Sequence, residues 1–279
     1  MRKGLDFFKE EHLQNLEQGK AYKKAERVIK DNEVQINDFR KLYGDDNIDR
    51  DEKYVAEMEE EFKKGSSLES KKINELATVL EAIIFEQSEQ NEWLGSDAQT
   101  IKTSRYDDIK NGVDMIVEFI QEDESAAHLG MAIDATFNSD TEAKFKRIKA
   151  EIDEGKLAEV KYFESDNIHF KGKLKMLPRI VVGADFKTVS ELSELWLEGN
   201  NKALAEHQIQ FQVLEEIIMQ LRAFKTYAEG AGQQKITGVY KRALNIILPV
   251  YREKAKKMKD SRERDSVFLD IEKNLEMFK

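Results

Sequence analysis

Apolar residues recur at helical spacing over most of the chain, and the exceptions to this spacing lie in its middle third. In residues 66–95, leucine and isoleucine are three and four positions apart, Ser66 could cap the start and Gly95 lies at the end, which predicts a buried amphipathic helix. The segments 113–119 and 128–137 are instead short, apolar and partly β-branched or aromatic, and small and acidic residues separate them. This pattern predicts a β-hairpin or two adjacent strands.

The pattern that follows the hairpin predicts a mixed sheet. Residues 139–154 have the caps and the apolar stripe of a helix. Residues 157–163 and 179–185 are typical of strands, and a helix is expected after the second of them. The segment 167–177 is interpreted as a polar, basic connection. The element order predicts an α/β or α+β fold, in which long N- and C-terminal helices flank a small mixed sheet.

Changes in composition along the chain indicate three regions. Residues 1–65 are highly charged and are expected to form a helical arm. The thin apolar stripe of this arm suggests that it lies on another subunit or is mobile. Residues 66–200 would form the α/β core, and residues 201–279 a C-terminal helical region in which Pro249 is expected to kink or split the last helix.

Composition excludes several kinds of chemistry and compartment. The 279 residues include no cysteine and four scattered histidines, which excludes disulfides, zinc–thiolate sites, iron–sulfur clusters and a histidine-only metal site. No apolar run reaches the length of about 18 residues that a membrane-spanning helix needs, and the first residues lack the apolar segment of a secretory signal. We therefore expect an intracellular, cytoplasmic protein that does not enter the membrane.

The charge balance bears on nucleic-acid binding. The formal net charge of −10 argues against a protein that coats nucleic acid. However, residues 252–264 are locally basic, and on a helix they would either form a solvated face or contact phosphates.

Two aspartates are the main candidates for chemistry. Asp114 lies at the start of one apolar strand, and Asp134 lies inside the apolar run of the next. A buried ionised carboxylate needs donors, a cation or a metal, so each of them could also be satisfied by backbone N–H groups or a basic side chain. Together they could bind Mg²⁺ or Mn²⁺, which would activate water and stabilise charge on a phosphoryl oxygen. Asp107 and Asp108 are expected to form a turn or a cap.

These segments resemble the PD-(D/E)xK nuclease superfamily over about residues 68–165. The resemblance implies an αβββαβ core, in which residues 157–163 supply the strand after the helix, and metal-dependent hydrolysis of phosphodiester bonds in DNA or RNA. It implies that Asp114 and Asp134 are the metal-binding catalytic carboxylates. Glu81 or Glu86 would be the acidic residue of the preceding helix, unless both are ordinary solvated helix charges.

The sequence departs from the motif of the superfamily at one position, because Thr136 stands where the motif has lysine. Lys161 is our first candidate to replace it, although it could be a plain strand residue. In an alternative register, Asp134 is the first carboxylate and 159–161 supplies the (D/E)-x-K. If neither lysine reaches the site, the chain would be a non-catalytic scaffold or a nucleic-acid binder. Its terminal helices would then recruit a protein partner or form a homo-oligomer.

Overall fold

The computed structural model describes residues 18–65, 67–121, 126–134 and 140–279, and describes residues 69, 132–134 and 140 by their backbone alone. The helices are α1 (18–32), α2 (Arg40–Tyr43), α3 (Asp45–Gly65), α4 (Leu68–Gln90), α5 (Arg105–Asn111), α6 (Asp140–Asp153), α7 (Phe186–Glu198), α8 (Asn201–Ala205), α9 (Ile209–Gly230), α10 (Gln234–Lys257) and α11 (Ser266–Asn274), with 3₁₀ turns at Ile36–Phe39 and Leu275–Phe278. The strands are β1 (Ala98–Lys102), β2 (Met115–Ile120), β3 (Ala126–Asp134), β4 (Ala158–Ser165), β5 (Phe170–Leu177) and β6 (Arg179–Gly183).

The main sheet has the strand order β1-β2-β3-β6. The first three strands form an antiparallel meander. β6 runs parallel to β3 after the crossover that contains α6. The prediction of an α+β fold with a small mixed sheet flanked by helices is therefore confirmed. The strand that follows α6 in this sheet is β6, rather than residues 157–163, which form β4 in a separate two-stranded sheet with β5.

Three local features of the structure differ from the sequence-based expectation. The prediction that the segment 167–177 is a connection is wrong, because the segment contains β5. Leu174 and Leu177 of this strand pack inward, and its three lysines are exposed. Strand β1 was not predicted, because a segment of five residues is too short, and this one too polar, to show a strand pattern. Finally, α10 is one continuous helix that includes Pro249, so it is not split there.

Each face of the main sheet is covered by a different layer. On one face, Met115, Val117 and Met131 pack into the large core formed with α4, α6, α7, α9 and α10. On the other face, Val113 and Ile116 pack against the β4–β5 hairpin. Because both faces are buried, the central strands read as nearly continuous apolar runs instead of alternating ones.

The described part of the N-terminal region packs on the same chain. Ala21 and Ala25 of α1 are buried in the large core. Further along, Phe39 and Ile48 are buried against Tyr162 of β4, in a separate aromatic cluster. These contacts account for the thin apolar stripe, since few side chains of this region reach the core. The division of the chain into three regions stays a prediction.

One edge of the main sheet, β6, is closed by side chains of α9 instead of another strand. Gln220 both accepts from the Val181 N–H (2.8 Å) and donates to the Val181 carbonyl (2.6 Å). One turn earlier, Glu216 accepts from the Gly183 N–H (3.1 Å), and Gln212 donates to the Gly183 carbonyl (3.1 Å). The spacing of four residues places these three buried side chains on one face of α9, which follows the edge of the strand.

The opposite edge, β1, is closed in a similar way. Glu89 of α4 accepts from both the N–H (2.5 Å) and the hydroxyl (2.7 Å) of Thr100. The Val34 N–H donates to the carbonyl of Lys102 (3.3 Å). Side chains and main chain from outside the sheet therefore occupy both outer strands, which would otherwise be open to pairing with other chains.

A buried carboxylate, Glu118 of β2, connects the two sheets. His128 Nε2–H donates to one of its oxygens (2.7 Å), and Ser165 Oγ (2.8 Å) and Asn167 Nδ2 (2.7 Å) donate to the other. These donors outweigh the effect of burial and lower the pKa of Glu118 below the usual 4.5.

None of the described helices is long and apolar enough to cross a membrane.

We expect Gln220→Ala to lower the free energy of unfolding by about 2–4 kcal/mol, because it leaves the buried N–H and carbonyl of Val181 without partners. Urea denaturation measures the change. The matched control is Gln234→Ala at an exposed position of α10, which should change stability by less than about 0.5 kcal/mol. Equal effects of the two substitutions would show that α9 does not stabilise the β6 edge.

We expect Glu118→Gln to destabilise the protein by about 2 kcal/mol at about pH 6. Since the pKa of Glu118 is lower in the folded chain, its contribution is complete above the unfolded value and is lost as the pH falls through the folded value. The difference between wild type and variant should therefore shrink on acidification, as followed by urea denaturation from about pH 7 to pH 3. A difference that grows on acidification would contradict this. The exposed Glu60→Gln serves as control.

Candidate functional site

The site is organised by the entry of the chain into β2. Ser104 caps α5, accepting from the Asp107 N–H (3.1 Å), and Gly112 ends the helix in a left-handed conformation with φ of 63°. This φ is strained for other residues, so the Asn-Gly pair stops α5 and turns the chain toward the sheet. As a result, Asp114 lies immediately before the first residue of β2.

The main chain of Asp114 is held on both sides. Its N–H donates to the Met131 carbonyl (2.9 Å), and its carbonyl accepts from the Thr103 hydroxyl (3.0 Å) and the Lys102 ammonium (2.8 Å). The Thr103 hydroxyl also donates to the Val113 carbonyl (2.6 Å). These bonds fix the position of Asp114 relative to β1 and β3.

Lys102, the last residue of β1, is the basic residue at the centre of the site. Its side chain is only 2% exposed, and its ammonium lies 3.0 Å from a carboxylate oxygen of Glu81 on α4. The Glu81 charge, followed by Asp108 and Asp114, raises the pKa of Lys102 despite its burial. These charges outweigh the burial that would lower the pKa of Lys102, so they favour its charged form.

The carboxyl group of Asp114 lies in an acidic environment. Burial and the neighbouring charges of Asp108 and Glu81 raise the pKa of Asp114 to about 8, while Lys144 and Lys102 oppose this effect. Burial also raises the pKa of Glu81. Burial, the largest cause of both shifts, favours the protonated form of these carboxyl groups, so a cation that binds here would have to displace a proton.

Further charged residues lie around the Glu81–Lys102 pair and Asp114. Arg105 bridges Glu59 of α3 (2.9 Å) and Asp108 of α5 (2.5 Å), so it joins the N-terminal region to the site. Glu33 belongs to the same field, because burial raises its pKa and the charges of Lys102 and Arg105 lower it.

Asp134 lies at the same end of the sheet as Asp114. In the parallel ladder it pairs with Gly183, the last residue of β6. It follows three positions after Met131, whose carbonyl accepts from the Asp114 N–H. The side chain of Asp134 and all of Thr136 lie outside the described residues. The predicted role of Asp134 as a metal-binding carboxylate therefore rests on its backbone position.

The structure does not bring the other predicted residues to this centre. The Lys161 ammonium is paired with Asp51 of α3 and lies 5.1–5.4 Å from the ring centres of three tyrosines, Tyr43, Tyr106 and Tyr162. Glu86 accepts from the Trp196 indole N–H (2.6 Å). In the alternative register, Glu159 pairs with Lys173 (2.5 Å) in the two-stranded sheet, away from the strands that flank β3.

Asp107 lies in the first turn of α5, where it accepts from the hydroxyl of the cap residue Ser104 (2.8 Å), and it also reaches β4. One of its oxygens accepts from the Lys161 N–H (2.7 Å), and the other accepts from the Tyr162 N–H (2.9 Å). A β-bulge between Val160 and Phe163 leaves these two N–H groups unpaired within the sheet. A single buried carboxylate therefore fastens α5 to β4.

Lys102 was not among the predicted site residues, and the only indication of it in the sequence is its position. It is a lysine that ends the short segment AQTIK, just after a buried helix and before the Asp107–Asp114 stretch. A burial pattern over five residues is too short to indicate that this lysine points inward.

The chemistry of the donors is compatible with a hard divalent cation, because the site offers carboxylate oxygens from Glu81, Asp108 and Asp114. However, among the described residues no group of three or more histidine, cysteine, aspartate or glutamate side chains is arranged to hold a metal ion. Glu81 is also engaged by Lys102. A complete metal site would therefore need further oxygens, and Asp134 is positioned at this end of the sheet to supply one.

Comparison of the chain with protein-family models, with curated proteins and with solved structures finds no match.

We expect Lys102→Met to lower the free energy of unfolding by about 3–5 kcal/mol, because it leaves the buried Glu81 without its cation. Adding Glu81→Gln should recover part of this loss, as measured by urea denaturation of the complete mutant cycle. The matched control is Lys64→Met, which removes an exposed pair with Glu60 and should cost less than about 1 kcal/mol. Strictly additive losses for Lys102 and Glu81 would mean that the two side chains do not interact.

Proposed function

We propose that the chain is a metal-dependent, nuclease-like enzyme that hydrolyses phosphodiester bonds in DNA or RNA, with Mg²⁺ or Mn²⁺ as its cofactor. The observation that carries the proposal is the meeting of Glu81, Lys102 and Asp114 at the start of β2. A buried lysine paired with the carboxylate of Glu81 and the main-chain carbonyl of Asp114 has a cost in desolvation, and structural stability alone is a weak reason to keep it.

The order of elements supports the same proposal. Helix α4, the antiparallel strands β1 to β3, helix α6 and the parallel strand β6 follow the αβββαβ order of the nuclease-like superfamily that the sequence resembles. In this order Glu81 is on the helix before the sheet, Asp114 is at the start of the second strand and Asp134 is on the third. Two elements are additional to this order: helix α5 between β1 and β2, and the β4–β5 hairpin between α6 and β6.

Within this proposal, each side chain has a distinct role. A bound Mg²⁺ or Mn²⁺ ion would supply an activated water and neutralise charge on the phosphate. Asp114 and Asp134 would hold the ion. Lys102 would act as a positioning residue, because it fixes the Asp114 main chain and the orientation of Glu81. Lys102, rather than Lys161, would take the place of the lysine that the motif lacks at Thr136.

A non-catalytic binding or assembly protein is the second candidate, and it would use the terminal helices to contact a protein partner or a second copy. It is favoured by the burial of Asp114 and by the lack of a ready three-ligand metal group among the described residues. In that case the charged cluster would serve only to orient α4 and β1.

The test is cleavage of plasmid DNA, single-stranded DNA and RNA in the presence of Mg²⁺ or Mn²⁺. We expect wild-type protein to cut at least one substrate, and Asp114→Asn and Asp134→Asn to lose about 100-fold or more of that activity. The matched control, Asp46→Asn at an exposed position of α3, should keep full activity.

Metal binding is measured separately by the increase in melting temperature with Mn²⁺, which should be present in wild type and absent in Asp114→Asn. Residual cutting that is equal in wild type and both site variants would indicate a contaminant and reject the enzyme. A protein with neither a Mn²⁺ effect nor cutting would favour the binding protein.

A further inference from the structure

The two strands on either side of β3 do not cover it equally. β2 pairs with β3 from Ala126 to Met131, whereas β6 begins only opposite Gly130. Among the described residues, the part of β3 that precedes Gly130 therefore has a partner strand on one side only. This open part lies at the opposite end of β3 from Asp134, so it is separate from the candidate nuclease site.

Strand geometry shows which main-chain groups this leaves exposed. The Gly130 N–H donates to the Pro178 carbonyl (2.8 Å), just before β6, so the main-chain groups of Gly130 point to the β6 side. Alternate residues of a strand direct their N–H and carbonyl groups to the same side. Ala126 and His128 therefore direct theirs away from β2, where the described chain provides no strand to receive them.

A cleft of about 450 Å³ lies along this open stretch. The open part of β3 forms one wall, the end of β5 forms another, and α10 forms the third with Val239, Arg242 and Ile246. Its volume is in the range of about 300–1,000 Å³ found for ligand sites, and it combines an apolar wall with unpaired main-chain groups.

The charged groups of the cleft are all basic or potentially basic. They are His128, Lys175 and Arg242, and none of the described lining residues is acidic. Lys175 and Arg242 are both exposed, and neither makes an ion pair or a side-chain hydrogen bond within the described part of the chain. His128 is engaged by Glu118, on the face toward the β4–β5 hairpin.

We propose that this cleft binds an extended, acidic peptide segment of a partner protein, which adds as a strand to the open edge of β3. The main chain of the peptide would pair with Ala126 and His128, its acidic side chains would meet Lys175 and Arg242, and its apolar side chains would lie on Val239 and Ile246. Strand addition uses unpaired main-chain groups for affinity and neighbouring side chains for specificity. A nucleic-acid strand would use the basic groups but not the main-chain edge.

The first experiment measures binding of a fluorescein-labelled peptide of alternating glutamate and valine to the full chain by fluorescence anisotropy. We expect it to bind about tenfold or more tightly than a lysine–valine peptide. Arg242→Glu should weaken this binding about tenfold, whereas the matched control Lys241→Glu, one residue along α10 and outside the cleft, should leave it unchanged.

The second experiment tests the mode of binding by amide hydrogen exchange. The peptide should slow exchange at the Ala126 and His128 N–H groups. Ala126→Pro removes one of these donors without removing a bond to β2, and it should weaken binding while the melting temperature stays unchanged. If this variant does not fold, the exchange result on wild type and the Arg242 comparison still decide.

Three outcomes would overturn the proposal. The first is no binding of the glutamate–valine peptide, or binding that Arg242→Glu does not change. The second is tighter binding of labelled oligothymidine than of the peptide, which would make the cleft a nucleic-acid site. The third is slow exchange at Ala126 and His128 in the free protein that becomes fast after neutralising Glu122, Asp123 and Glu124, which would assign the edge to the chain's own segment.

Discussion

The main sheet has two outer strands whose main-chain groups need partners, and the helices around it are arranged to supply them. On the β6 side, Gln212, Glu216 and Gln220 follow one face of α9 and bond to the strand. On the β1 side, Glu89 and the main chain of Val34 have the same role. An unpaired buried amide is costly, so these contacts fix where α9, α4 and the N-terminal region lie. Among the described strands of this sheet, the start of β3 is the part left open.

The same arrangement determines the geometry of the candidate site. Because α4 lies along β1, Glu81 reaches Lys102, and because β1 pairs with β2, Lys102 reaches the carbonyl of Asp114. The charged groups lie close together and are partly or largely buried, so each one affects the protonation of the others. The site therefore depends on the packing of α4 against the sheet as much as on the acidic residues themselves.

The sequence was informative where periodicity was long and uninformative where segments were short. The helix predicted within 66–95, which is observed at Leu68–Gln90, follows from its spacing, and the strands around Asp114 and Asp134 follow from their short apolar, β-branched and aromatic runs. In contrast, β1 has only five residues, and three lysines and a glycine among the eight residues of β5 made that segment resemble a polar, basic connection. The sequence also placed Asp114 and Asp134 at one site, and the structure puts their backbones at one end of the sheet. Lys102 could not be predicted, because its inward direction is set by tertiary pairing with β2 and α4.

Asp107 connects parts of the chain that are far apart in sequence. It fastens α5 to the bulge of β4, and from that bulge Lys161 and Tyr162 hold Asp51 of α3. The next residue of α5, Asp108, contributes to the charge around Asp114. These contacts link helix α3, the β4 bulge and the acidic end of the sheet, so we expect the three to open together in local unfolding. Opening of the arm would change the protonation of carboxylates that it does not touch.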